Sequence, residues 1–513
     1  MYKVTLNVIF IVAVCYLFGC SGTQKVDRSI TYPDRYETLD HQSPFLKAHL
    51  RDGELVMFSK WSVDTVARAI KGDGQFYDLN RSLLDERSLQ LSIDSVALFE
   101  TNVVGQSGGV TSLAIMSAVS AAISVACLTN PKACFGSCPT FYVSNGSQQT
   151  LQAEGFSASI LPSLEATDID ALYRASPNGR DVEVTMKNEA YETHVVRYVN
   201  LLTVPCQAAK RVFVTSVGSF WTSSHLLEVS KAIAPEGNCL DALSAFDGVE
   251  RFSTTDSSDL AAREQLILSF HNVPKGKIGL VLAMRQTLLS TYLFYQTLGY
   301  LGKSAGEYLA RCERGDLHFG QQVHNLGNLV GEVNVYVKGN NGSLQFIEEV
   351  AETGPLATDT HLILLPLESG DEVTLVLDMV RGAWRLDWAG LAVLDGEVTP
   401  DRILPATVIH NNIIDDKARQ YLLDSSKVLT AFPGDEYTMV FRLPDDRKYE
   451  LFLESRGYYL EWMREEWYKE ENLVRAGMLF FAPQQALKIM APEFKRVEST
   501  METLFWNSKY VRH

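Results

Sequence analysis

The stretch ACFGSCPTFYVSNG, residues 133–146, sets Cys134 and Cys138 four positions apart ahead of a turn signal. Such a pair can ligate a metal, shuttle electrons, or bridge. A metal site needs a second pair or histidines at matching spacing, and neither CxxC nor HxxxH lies nearby. A redox pair favours CxxC at a helix start, whereas Gly136 here leads into a strand pattern. Structural disulfides are the expected role, shared among Cys127, Cys134, Cys138, Cys206, Cys239 and Cys312. Cys134 can reach Cys138 directly through a Phe135-Gly136-Ser137 turn, and Cys127 can equally reach either, so the pairing stays open. No metal and no cofactor is implied.

Other chemistry-bearing residues are scattered. His318 and His324 have no carboxylate between them, and the chain holds no HExxH, Walker lysine loop or GxGxxG. Asp415-Asp416 and Asp445-Asp446 read as solvated turns. Asn188 to His194, NEAYETH, is polar enough for a site but reads first as a charged hairpin tip. Trp384 and Trp388 could present rings to a sugar, although at strand period such residues are more often core. No catalytic residue is assigned.

The address is clearer. One lysine, an uncharged apolar run and Leu17-Phe18-Gly19-Cys20 describe an export signal with the lipobox pattern of bacterial lipoproteins. Cys20 is therefore the expected lipidation site, with Ser21 after it fitting an outer-membrane destination. Partners expected are the membrane, through that lipid, and an envelope protein or glycan. A net charge of -16 with thinly spread basic residues excludes nucleic acid, whose phosphates need a basic patch.

Positioning these residues falls mainly to strands. Residues 1–19 read as the signal and 20–44 as a tether. Alternation on both sides of Arg51-Asp52-Gly53 predicts a small β-barrel-like unit over 45–105. An uncharged run from Val110 to Leu128 lies within an apolar helix over 106–130, long enough to compete as a membrane span. Turns at Asn145-Gly146 and Asn340-Asn341-Gly342 punctuate two β-sandwich-like units, jelly-roll or galactose-binding-like, over 131–264 and 265–445, the second carrying a helix over 287–314. Residues 446–513 supply a strand and a helical tail. There, one helical stripe is expected from Tyr459 through Trp467 and another through Met490, Phe494, Val497 and Met501. The fold class expected is mainly β with helical insertions.

Taken together, CPTFYVSNG, EGFSASILPSLEATD, NEAYETHVVRYVNLLTV, GAWRLDWAGLAVL and FLESRGYYLEW resemble a group of bacterial exported lipoproteins with a Cys-Pro-x-x-Tyr hairpin, a Trp-x-Leu-Asp strand and a Gly-Tyr-Tyr pattern. The resemblance spans about residues 131 to 470 and brings no catalytic residues. The function expected is binding or assembly at the cell envelope. The alternatives are a hydrolase acting on envelope or extracellular polysaccharide, and an inner-membrane component spanning at 110–128.

Overall fold

The structure, a computed structural model, describes residues 25–105 and 138–507, apart from breaks at 32, 51–53, 78–82, 146–147, 158, 160–164, 191, 207–209, 306–307, 309–328, 340, 351–353, 367–371 and 462–469. The chain divides into two compact units, Met1–Ala122 and Ile123–His513. The apolar run 110–128 and the lipobox lie outside the described residues. Among those described, no helix is long and apolar enough to cross a membrane.

The first unit is one antiparallel sheet. It contains β1 (Lys25–Thr31), β2 (Phe45–Leu50), β3 (Leu55–Asp64), β4 (Ala69–Tyr77), β5 (Leu83–Ser92) and β6 (Val96–Gly105), in the order β1-β6-β2-β3-β4-β5. Alternation decides which face is buried: Leu46, Ala48, Val56 and Phe58 are sealed, while the residues between them are not. The expected tether is partly structured, because β1 pairs along its whole length with β6.

The second unit continues with β7 (Thr140–Asn145), β8 (Gln148–Glu154), β9 (Ala166–Ala171), β10 (Asp181–Lys187), β11 (Glu192–Pro205), β12 (Arg211–Val214) and β13 (Phe220–Glu228). Then come β14 (Lys231–Ala234), β15 (Gly237–Asn238), β16 (Arg263–His271), β17 (Ile278–Gln286), α1 (Leu289–Leu301), β18 (Val333–Lys338), β19 (Leu344–Val350), β20 (Asp359–Leu364), β21 (Glu372–Val380) and β22 (Trp384–Val398). The chain closes with β23 (Asp401–Ile403), β24 (Thr407–His410), β25 (Ile413–Ile414), α2 (Asp416–Leu423), β26 (Leu429–Ala431), β27 (Glu436–Arg442), β28 (Tyr449–Glu461), α3 (Leu473–Phe481), α4 (Pro483–Lys495) and α5 (Glu498–Asn507).

Two sheets, β25-β24-β27-β10-β7-β8 and β23-β11-β28-β9, enclose a core built on Phe141, Val184, Met439, Val199 and Leu453. Two more, β12-β13-β22-β17-β20 and β15-β14-β16-β21-β18-β19, share a second core. A parallel bridge between Thr215 and Leu362 brings the ends of the first of these toward each other, giving a nearly closed, barrel-like sheet. The mainly β fold class is therefore observed.

The internal boundaries differ from expectation. β10 pairs with β27, β11 and β9 pair with β28, and β13 pairs with β22. Strands from 131–264 thus find partners across both expected borders, at 264/265 and 445/446. Short-range alternation fixes which face is apolar but not which strand is the neighbour. The helical tail packs on the sheets, with Met490, Phe494, Val497 and Met501 buried in the second core. Tyr459, expected on a helix, lies on β28, and residues 462–469 are outside the described set. Within the expected helix over 287–314, α1 stops at Leu301, at the glycine pair Gly299 and Gly302 where the sequence suggests a break. Gly302, at φ +54, follows it, where a side chain would meet Glu471.

Gly382 sets the turn between β21 and β22 at φ +76, and a Cβ there would sit 2.6 Å from Thr255 N and 2.9 Å from Thr255 Cα. Gly382→Ala should lower stability by about 2–3 kcal/mol, measured by urea unfolding. A loss under about 0.5 kcal/mol would show that this turn relaxes freely.

Candidate functional site

The β9 sequence Ala-Thr-Asp-Ile-Asp-Ala alternates, so Asp168 and Asp170 share one face while Ile169 and Ala171 share the other. β9 is the edge of its sheet. β8 and β20 are edges of theirs, and both pack beside β9. Three sheet margins therefore meet, β20 being bridged beyond its own ladder at Leu362 to Thr215, and backbone donors there are left for side chains to answer.

Carboxylates answer those donors. Glu154, at the end of β8, accepts from the backbone N–H of Leu356 and of Ala357, the latter at 2.8 Å. Asp359, at the start of β20, accepts from Ala171 N at 3.3 Å. Asp168 accepts from Ile169 N at 3.0 Å and from the Phe156 backbone. Asp170 is only 3 % exposed, and its Oδ2 has no hydrogen-bond partner among the described residues.

Burial raises the proton affinity of all four. It pushes Glu154 to about 7 against the donated N–H bonds. Burial and the neighbouring Asp359 carry Asp168 to about 6, and burial carries Asp359 to about 7. Asp170 is held well above its ordinary range by burial and by Asp168, Asp359 and Glu154. His361, 3.7 Å from Asp359 Oδ2, is pushed down to about 4 by burial and is neutral at pH 7. Among the described residues, no group of histidines, cysteines and acids is arranged to hold a metal ion.

The polar seam continues past Glu154. Cys138 Sγ donates to Glu154 Oε1 at 3.5 Å, while Thr140 and Tyr142 donate to Glu189 Oε2 at 3.0 and 2.9 Å. His194 Nε2 lies 2.8 Å from Glu192 Oε1, both fully buried, with the Tyr459 ring edge-on to His194. NEAYETH is thus no exposed hairpin tip. Asn188 ties it under the loop before β27, donating to Glu192 O and Ala431 O at 2.8 and 3.0 Å. Phrases far apart in the chain converge here: CPTFYV, the end of β8, LEATDID, NEAYETH and SRGYY.

The opposite face of β9 is different. Ile169, Leu202, Phe220 and Val398 floor an open recess of about 400 Å³, rimmed by Gly218-Ser219, Glu397, Thr399-Pro400 and Arg402. Glu454 faces it from β28 but is already engaged, accepting from Asn200 at 2.8 Å and Arg402 at 2.6 Å. Phe220 is fixed edge-on against Phe452, with centroids 5.0 Å apart.

The remaining expected site residues separate. Trp384 is 1 % exposed in the second core and has no free ring face. Trp388 does not share its face, because Ala283 pairs with Trp388 and Met284 with Leu386, leaving Asp387 as a bulge. Asp387 turns inward to accept from Asp247 and Gly248 N–H, while Trp388 packs beside Val281 and Leu394. No disulfide joins Cys138, Cys206 or Cys239 to one another, and Cys206 and Cys239 are free thiols. Cys127, Cys134 and Cys312, with His318 and His324, lie outside the described residues. Asp415 caps α2 through Ala418 N, and Asp445 pairs with Arg447 in an exposed turn.

No protein-family model matches the chain, and no curated protein does. Among solved structures it is similar to the secreted serine protease VesC from Vibrio cholerae, at 8 % identity over 74 % of this chain and 99 % of that one, with a TM-score of 0.15. A likeness that slight carries no argument about fold or activity.

Removing His194 takes a partner from a carboxylate shut away from water. His194→Ala should cost about 3–5 kcal/mol in urea unfolding. A loss below about 1 kcal/mol would mean that the Glu192–His194 pair is energetically idle.

Proposed function

We propose that this chain is a bacterial outer-membrane lipoprotein, anchored through Cys20, that binds an envelope glycan or protein in the recess beside β9. The recess carries the reading. It has an apolar floor, a rim of mixed polarity and a volume of about 400 Å³, within the range of ligand sites. Its inward carboxylate is committed to Asn200 and Arg402, an arrangement that suits recognition better than proton transfer. Asp168 and Asp170, whose proton affinity is raised, stand on the other face of the same strand.

Those groups favour a second reading, a hydrolase acting on envelope or extracellular polysaccharide. A general acid needs a carboxyl that keeps its proton near neutrality, and half-buried Asp168 has that property. Binding is favoured over it because Asp168 and Asp170 point away from the recess.

Thr399→Trp adds a ring at an exposed rim position and should cut retention of envelope material by about tenfold or more in pull-downs, leaving the unfolding midpoint unchanged. Unaltered retention would count against the recess. Asp168→Asn should leave any polysaccharide turnover unchanged, and its abolition would favour the hydrolase. Cys20→Ser should release the protein into the soluble fraction. Retention in the inner membrane would instead support a span at 110–128.

A further inference from the structure

The carboxyls at the meeting of β8, β9 and β20 do more than accept backbone N–H groups. Asp170 is the sharpest observation: it is buried, and its Oδ2 meets no donor among the described residues. A carboxylate left in that state is strongly disfavoured by desolvation, so the group keeps its proton instead. Ser455, in register with Asp168 on β28, is also fully buried, and its hydroxyl oxygen has no partner among the described residues.

We propose that this junction is a proton-binding clasp, in which Glu154, Asp168, Asp170 and Asp359 share protons that hold three sheet edges together and release β9 when those protons leave. The clasp stands whether or not the recess binds a ligand.

Among the described residues, the surroundings give no other means of neutralising the cluster. On the β8 side, Cys138 donates to Glu154, and the charge of Arg285 favours its ionised form. Arg285 is itself committed to Glu250 at 2.5 and 2.8 Å and to Glu502 at 2.6 Å. Tyr142, with Glu189, adds neutral and acidic neighbours rather than a cation. Beyond β9, Tyr173 faces Gln152 and feels Asp359. On β20, His361 favours ionised Asp168 but is neutral, with Glu348 of β19 acting on it.

The direction of the pH dependence follows. Each carboxyl holds its proton in the folded chain to a higher pH than in the unfolded chain. Between about pH 4 and about pH 7 the folded state therefore binds more protons, and stability falls as pH rises through that window. His361 acts oppositely between about pH 4 and its ordinary value of 6.5, as one group against four.

The test is urea unfolding and amide exchange of the full chain at about pH 5 and about pH 8. For the native sequence, the midpoint should fall at the higher pH. Residues 166–171 should exchange about tenfold or more faster there, after correction for intrinsic rates. The double variant Asp170→Asn, Asp359→Asn should flatten both dependences. If it fails to fold, the single Asp170→Asn serves, together with the protonated-carboxyl infrared band of the native protein, which should persist at neutral pH and weaken in the variant. A midpoint independent of pH, an unaltered slope in the variants, or absence of that band would overturn the clasp.

Discussion

Three sheets of the larger unit end side by side, and the chain has to satisfy the backbone donors of their edges without closing them into one ladder. Glu154, Asp168 and Asp359 do this with side-chain oxygens. A carboxylate can reach two N–H groups at once, as Glu154 does with Leu356 and Ala357. It also spares the edge from pairing with a foreign strand. The cost is burial of acid groups beside one another, which is offset by their holding protons.

That constraint explains why the polar residues of this unit divide across β9. Its acidic face, with Asp168 half-buried and Asp170 buried, belongs to a polar seam running through Cys138, Tyr142, Glu189 and the Glu192–His194 pair. Its apolar face joins Leu202, Val204, Val212, Phe220 and Phe452. The proposed ligand recess lies on that second face, where the Glu454 carboxylate is met by Asn200 and Arg402. One strand thus serves as both the clasp and the wall of the recess, through nothing more than the two-residue period of a β-strand.

Much of this was legible in the sequence. Alternation placed the strands, Asn-Gly signals fell between the paired strands β7 and β8 and between β18 and β19, and the stripe through Met490, Phe494, Val497 and Met501 is buried across α4, the junction after it and α5. Partnership between distant strands was not legible, since the pairing of β11 with β28 joins residues some 250 positions apart, a choice made by the whole core. The Asp387 bulge was hidden for a related reason: one inserted residue reverses every later face while leaving composition untouched. NEAYETH looked like a solvated tip because its residue types are polar. Its burial depends on the loop before β27, more than 200 residues later. The one usable signal for the acid junction was Asp-Ile-Asp on a strand that otherwise alternates, two acids on one face with no basic neighbour.

The decisive measurement is a carboxyl-carbon NMR titration of the native protein, with the junction signals assigned through single Asp→Asn and Glu→Gln variants. Glu154 and Asp359 should titrate at about 7 and Asp168 at about 6, with Asp170 still protonated above them. Titration of all four near about 4, the ordinary range for exposed acids, would show that the edges are not held by shared protons.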